Sequence, residues 1–276
     1  MKSSIARSLL FSMLLGCSSA NAAPTEVNIL LVGNSLSYVN NLPALFNGLA
    51  AQQPGDTVFR ADLIAAPGGA IAERWQDGVA AREIAGGHWQ VLVLQERGGM
   101  LACLAKPQQR NEPECAASIA AHRKFAKLAG EHRMRVILLG TWGPDAIWQA
   151  QLSRGLRQLA ATTGAQALDT GPLVRDYAKA HPQTPMYSDA MLHPTLDASL
   201  LMAADLYRMI SGHVPQASTF EIDVPLLPGL ARVDPGKLLS TQPQVAGDGA
   251  VTRLDASRLQ ALIAALATDK EQHRHE

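Results

Sequence analysis

The 276-residue chain has no excess charge of either sign, few aromatic residues and only three cysteines. Its 24 basic residues balance its 24 acidic ones, so no broad electrostatic surface for nucleic acid or anionic lipid is expected. After the first 22 residues no apolar run reaches the ~18 residues that a membrane-spanning helix needs. Internal repeats are also missing. The composition therefore predicts a compact protein without a nucleic-acid partner and without a transmembrane segment beyond its N-terminus.

The N-terminus has the pattern of a secretory signal. Lys2 and Arg7 precede the apolar run "SLLFSMLLG", and Ala20-Asn21-Ala22 supplies small residues for cleavage. We predict a signal peptide over residues 1–22 and a periplasmic or secreted protein. The alternative is "LLGCSS", in which Cys17 would become a lipidated N-terminus and anchor the chain.

Cleavage after residue 22 removes Cys17 and leaves Cys103 and Cys115. In an oxidising compartment such an even pair most simply forms a disulfide, which would close the polar loop "CLAKPQQRNEPEC". Two cysteines without a nearby histidine pair make a poor zinc site. The sequence therefore predicts a structural bridge and no metal site.

Short aliphatic runs alternate with amphipathic helical patterns from residue 27 to residue 212. The strand candidates are "VNILLV", "VFRADLIA", "WQVLVLQ", "RVILLG" and "AQALD". Their nearly continuous hydrophobicity is typical of strands buried on both faces of a parallel sheet. Between them, "AIAERWQDGVAAREIA" and similar segments have helical spacing. This order predicts a three-layer α/β/α sandwich with a mainly parallel five-stranded sheet.

The pattern changes beyond residue 213. The next stretch is punctuated by proline and glycine and has no helical period, and a single amphipathic helix follows it. We therefore divide the chain into a signal peptide (1–22), an α/β domain (23–213) and a C-terminal extension (214–276) packed on that domain.

Polar residues follow several of the predicted strands. Gly33-Asn34-Ser35 follows the first strand, Pro67-Gly68-Gly69 the second and Gln95-Glu96-Arg97 the third, and "MYSDAMLHPT" precedes the last helix of the domain. In open α/β sheets the ligand crevice lies beyond the carboxyl ends of the strands. One hydroxyl, one imidazole and several donor groups at that edge are what acyl transfer needs.

These blocks resemble those of the SGNH (GDSL-type) hydrolases, a superfamily of flavodoxin-like esterases and lipases. "LVGNSLS" is similar to their first block, which implies that Ser35 is the nucleophile. "APGGAIAE" is similar to the second, with Gly69 as the oxyanion glycine and Gly68 as the alternative. "DAMLHPT" is similar to the last and implies that His193 is the base. The resemblance covers about residues 27 to 212.

The sequence departs from the family pattern twice. The third block normally supplies an asparagine amide, whereas "LVLQERGG" presents Gln95 as the oxyanion donor. The family aspartate normally precedes the histidine by three residues, but position 190 is alanine and Asp189 stands four residues before His193. Asp189 is the expected partner of the imidazole, with Asp197 and Asp145 as alternatives.

The resemblance implies an exported serine esterase that hydrolyses carboxylic esters, with short acyl chains favoured, through an acyl-serine intermediate. Ser35, Gly69 and Gln95 would form the oxyanion hole, and neither metal nor organic cofactor is required. The substrate would be a small-molecule or glycan ester. The alternatives are an O-acyltransferase with the same chemistry and a non-catalytic carbohydrate-binding module on the same fold.

Overall fold

The structure is a computed structural model that describes residues 24–246 and 250–272. The predicted signal peptide, including Cys17, lies outside the described residues.

Five strands form one parallel sheet in the order β2-β1-β3-β4-β5. They are β1 Thr25–Gly33, β2 Thr57–Ala65, β3 Val91–Leu94, β4 Arg135–Leu139 and β5 Gln166–Leu168. Each coincides with one of the five aliphatic runs, so the predicted strand set and the parallel sheet are confirmed. The reversal of strand order beside β1 brings the ends of β1, β2 and β3 together, which is where a ligand crevice is expected.

Helices cover both faces of the sheet. In chain order they are α1 Ser35–Tyr38, α2 Leu42–Ala51, α3 Ile71–Gln76, α4 Val79–Ala85, α5 Gly98–Leu104, α6 Pro113–Glu131, α7 Ala146–Thr163, α8 Thr170–Ala180, α9 Leu196–Ser211 and α10 Ala256–Gln272. Alternate residues of β1 point into two separate cores. Ile29 and Leu31 pack with α2, α8 and α9, whereas Leu30 and Val32 pack with α3 to α7. The predicted three-layer α/β/α architecture is therefore confirmed.

Two helical features differ from the sequence prediction. The single helix expected over "AIAERWQDGVAAREIA" is broken between α3 and α4, because Gly78 adopts the left-handed conformation (φ 69°). The segment after β3, expected to be a loop, contains α5, which begins at Gly98.

The C-terminal extension packs on the face of the sheet that carries α2 and α9. Its strands, β6 Phe220–Ile222 and β7 Thr252–Leu254, form an antiparallel pair, and the side chains of Phe220 and Ile222 are buried in the same core as α2. The backbone of Gly48 in α2 lies close to Phe220: a Cβ there would be 2.6 Å from the ring. The extension is therefore seated directly on the helix that follows the first strand.

The predicted disulfide is present: the sulfur atoms of Cys103 and Cys115 are 1.97 Å apart, which links α5 to the first turn of α6. Within the described part of the chain, no helix combines the length and apolar character needed to cross a membrane.

Candidate active site

Ser35 lies at the junction of β1 and α1, at the carboxyl edge of the sheet. Asn34 caps α1 by accepting a hydrogen bond from the backbone N–H of Leu36 (3.1 Å), which fixes the turn that presents the serine. Ser35 is partly exposed and lines two cavities, whereas Asn34 is buried. The local sequence thus places one accessible hydroxyl at the end of a buried strand.

The side chains of His193 and Asp189 form a hydrogen bond. Nδ1 of His193 lies 2.6 Å from Oδ2 of Asp189, and the imidazole is buried while the carboxylate is partly exposed. The Asp189 carboxylate also accepts hydrogen bonds from the backbone N–H groups of Met191 and His193. The His193 side chain, together with these backbone donors, holds the pKa of Asp189 below its usual value, so the carboxylate is ionised at neutral pH.

The extra residue between Asp189 and His193 is accommodated by the backbone of the loop. Leu192 adopts the left-handed conformation (φ 62°), which is unfavourable for a residue with a branched side chain. The N–H of Leu192 donates to the carbonyl of Asp189 (3.0 Å), and its own carbonyl accepts from the indole Nε1 of Trp142 (2.8 Å). The tight turn brings Asp189 back to the imidazole despite the altered spacing.

The two alternative aspartates are engaged elsewhere. The Asp145 carboxylate caps α7 by accepting from the N–H of Trp148 (2.8 Å). The Asp197 carboxylate pairs with the guanidinium of Arg258 on α10. Neither hydrogen-bonds to His193, so Asp189 is the aspartate that the fold brings to the imidazole.

Two cavities meet at the serine and the histidine. They have volumes of about 250 Å³ and 350 Å³, and both are lined by Ser35, Gly68, Met191 and His193. Trp142 and Trp148 line the smaller one, and residues 229–233 line the larger one. Among the described residues, no hydrogen bond joins the Ser35 hydroxyl to His193; such bonds are often long before a substrate binds.

The two glycines after β2 differ in how available their N–H groups are. The N–H of Gly69 donates to the carbonyl of Ala66 (3.0 Å), and Gly69 is buried and lines neither cavity. Gly68 is exposed, adopts φ 62° and lines both cavities. The N–H of Gly69 is therefore already used within its own turn, whereas Gly68 lies at the surface of both cavities.

Gln95 is buried directly behind the serine turn. Its Oε1 accepts a hydrogen bond from the Ser37 hydroxyl, while its Nε2 is buried without a hydrogen-bond partner. Gln95 lines neither cavity. The amide of Asn34 lies between the two loops and donates to the carbonyls of Gly69 and Gln95, at 3.4 Å each. The Gln95 amide, the predicted oxyanion donor, therefore lies behind the residues that line the cavities, and its Nε2 has no hydrogen-bond partner in the part of the chain that the structure describes.

The neighbouring Glu96, which follows β3, is held by several hydrogen bonds. Its buried carboxylate accepts hydrogen bonds from the backbone N–H groups of Ile71 (3.2 Å) and Arg97 (2.7 Å) and from the Ser118 hydroxyl (2.6 Å). His122, also buried, lies 3.9 Å from it, and burial lowers the pKa of His122. Glu96 thus connects the first residue of α3, which follows the two glycines closely, to the residue that precedes α5.

In the described ranges, 24–246 and 250–272, no group of three or more His, Cys, Asp or Glu side chains has an arrangement that could hold a metal ion. The groups at this edge of the sheet are a hydroxyl, an imidazole–carboxylate pair and backbone N–H donors. Nucleophilic acyl transfer needs these groups.

No family model and no curated protein matches the sequence. Among solved structures, the fold is similar to Axe2, an acetylxylan esterase from Geobacillus stearothermophilus, with TM-score 0.50 and 14% identity over 71% of this chain and 100% of that chain. LAE5, an alpha/beta hydrolase enzyme from the metagenome of Lake Arreo, aligns with TM-score 0.49 and 15% identity over 69% and 98%. A proposed GDSL-like lipase from Parabacteroides merdae aligns with TM-score 0.48 and 13% identity over 69% and 98%. The chain therefore shares its α/β/α fold with Axe2, and its resemblance to the SGNH hydrolases rests on the sequence blocks.

Proposed function

We propose that the protein is an exported serine esterase that hydrolyses carboxylic esters, preferentially those with short acyl chains. The observation that carries the proposal is the 2.6 Å contact between His193 and Asp189 at a cavity that Ser35 also lines. A carboxylate on Nδ1 fixes the imidazole tautomer, so that the other ring nitrogen can accept a proton.

In this mechanism Nε2 of His193 takes the proton of the Ser35 hydroxyl while its oxygen attacks the ester carbonyl carbon. The tetrahedral intermediate collapses as the bond to the alcohol oxygen breaks, and the imidazolium returns its proton to that oxygen. Water then attacks the acyl-serine with the same assistance, which releases the acid and regenerates the hydroxyl. Asp189 stabilises the imidazolium at both steps.

The oxyanion would be held by the backbone N–H groups of Ser35 and Gly68. Ser35 occupies the first helical position of α1, where the N–H has no partner within the helix. Gly68 replaces Gly69 in this role because its N–H is not committed to the turn. The Gln95 amide is the third proposed donor, since its Nε2 has no other partner; to reach the oxyanion, it must turn towards the cavity.

Export is supported by the signal-like N-terminus and by the Cys103–Cys115 bridge, because disulfides persist in oxidising compartments. Short acyl chains are favoured because the sequence offers no long apolar segment that could serve as a lid.

The test is to label the purified protein with a fluorophosphonate probe, with Ser35→Ala as the matched control, and to measure hydrolysis of p-nitrophenyl esters of increasing acyl length. We expect labelling that depends on Ser35 and the highest kcat/KM for the acetyl or butyryl ester. A folded protein that shows no Ser35-dependent labelling would instead be a binding module on this fold. Labelling with transfer to an added alcohol that outcompetes hydrolysis would identify an acyltransferase.

A further inference from the structure

We infer that the C-terminal extension is part of the active site: its Pro228–Ala231 turn forms one wall, with Gly229 positioning His193 and Leu230 contacting an apolar group of the ester. The inference rests on the proposed esterase function and goes beyond it, because it assigns a specificity element outside the predicted α/β domain.

The first observation is the close contact between the turn and the imidazole. A Cβ atom at position 229 would lie 2.6 Å from Nδ1 of His193 and 3.0 Å from its Cε1. Gly229 is not among the described glycines with a positive φ. A side chain at this position is therefore excluded by the space that His193 occupies and not by the backbone conformation. The backbone of the extension therefore packs directly against the ring that pairs with Asp189.

The second observation is that the turn is fastened to the nucleophile's own helix. The hydroxyl of Tyr38, three residues after Ser35, donates to the carbonyl of Gly229 (2.8 Å). Burial raises the pKa of Tyr38, so the hydroxyl keeps the proton that it donates. The N–H of Asn40 donates to the carbonyl of Leu227 (2.9 Å). Nucleophile, base and extension are thus joined in one contact network.

The rest of the segment is firmly anchored. Leu227 and Val233, on either side of the turn, are buried in the core shared with α2 and α9. The Gln242 side chain, also buried, donates to the carbonyl of Asp234 (2.9 Å) and accepts from its N–H (2.8 Å). The turn is therefore anchored in the core on both sides, which is what a specificity element requires.

The third observation concerns exposed apolar side chains at the larger cavity. Leu230 is 86% exposed and Met191 is 67% exposed, and both line the cavity that contains Ser35 and His193. Large apolar side chains left in water next to a nucleophile lose that exposure when an apolar group of the substrate binds between them. The wall therefore suits an ester with an alkyl or aryl group, on either its acyl or its alcohol side.

The test of specificity compares methyl acetate, hexyl acetate and methyl hexanoate as substrates of the full protein. In Leu230→Ser, we expect kcat/KM for one of the two hexyl-containing esters to fall about 3- to 10-fold through a higher KM, because partial burial of one leucine is lost. Methyl acetate should change less than about twofold. The ester that responds identifies whether the cavity takes the acyl or the alcohol side. The matched control is Val251→Ser, which removes another exposed apolar residue of the extension.

The test of positioning is Gly229→Ala, with Gly130→Ala as the control because a Cβ there meets nothing within 4 Å. Displacing the imidazole should lower kcat and the rate of fluorophosphonate labelling by roughly 10- to 100-fold while KM changes little. If Gly229→Ala fails to fold, the comparison of Leu230→Ser with Val251→Ser still tests whether the turn is a wall of the active site. Wild-type protein that is labelled at Ser35, with Leu230→Ser and Gly229→Ala both behaving like their controls, would overturn the inference and leave the esterase function intact. Absence of Ser35 labelling in the wild type would instead remove the proposed function itself.

Discussion

Oδ2 of Asp189 lies 2.6 Å from Nδ1 of His193 although the two residues are four positions apart rather than the three that the resemblance to SGNH hydrolases implies. The loop absorbs the additional residue at Leu192, whose left-handed backbone closes a turn on Asp189. The contribution of this carboxylate–imidazole pair to catalysis can be measured.

Asp189→Asn should lower kcat by on the order of 10³- to 10⁴-fold, because an asparagine neither fixes the productive tautomer nor stabilises the imidazolium. His193→Ala should be nearly inactive. Both would be compared with wild type in ester hydrolysis, with circular dichroism to show that the variants fold. A loss below about tenfold in Asp189→Asn, with His193→Ala inactive, would mean that the enzyme works as a serine–histidine dyad.

Gln95→Ala should lower kcat by roughly 10²-fold with little change in KM, since loss of one oxyanion donor is felt only in the transition state. Ser37→Ala is the matched control, because the Ser37 hydroxyl bonds the Oε1 atom of Gln95 and not the proposed donor Nε2. We expect Ser37→Ala to stay within about fivefold of wild type. Equal, small effects in both variants would show that Gln95 only supports the turn.

The buried His122 should make stability depend on pH. Its pKa is lowered from the ordinary value of 6.5 mainly by burial. Just below pH 6.5, the imidazole is therefore protonated in the unfolded chain but still neutral in the folded protein. The free energy of unfolding should therefore decrease as the pH falls below that value, by at most about 1.4 kcal/mol per pH unit for one group.

Urea unfolding between pH 7.5 and 5 would measure this dependence. In His122→Gln, the free energy of unfolding should change less steeply with pH than in wild type. His132→Gln, at an exposed position, should keep the wild-type dependence on pH. Identical slopes in all three proteins would assign the acid sensitivity to other groups.

The Cys103–Cys115 bridge should contribute about 3 kcal/mol to stability, because it closes a short loop in the unfolded chain. The double variant Cys103→Ser with Cys115→Ser should unfold at correspondingly lower urea concentration, as should reduced wild type. Intact-mass analysis of the unreduced protein after alkylation is expected to show no modified thiol; two modified thiols would refute the bridge.

Much of the fold could be predicted because both faces of the sheet are buried, which leaves an unmistakable run of aliphatic residues at each strand. The edge of the sheet that carries Ser35 and His193 could also be predicted, because the ligand crevice of an open α/β sheet lies beyond the carboxyl ends of its strands. The proposal of Gly68 rather than Gly69 as a donor could not be made from sequence, because it depends on which N–H is used in the turn at Ala66. The break at Gly78 was missed because the apolar spacing continues across it.

The part played by Gly229 was also beyond prediction. Its segment has no periodicity, and its meaning lies in contacts with residues far away in the sequence. Only the folded packing against His193 reveals why a glycine stands there.

The hydrogen bond from Tyr38 to Gly229 spans 191 positions of the chain. We expect a contact of such long sequence separation to form after the local helices, because the closure entropy of a large loop must be overcome first. The α/β sheet can therefore collapse before the last wall of the cavity is in place. During refolding, native-like secondary structure should be regained ahead of the proposed esterase activity, so that catalysis reports on completion of the fold rather than on its beginning.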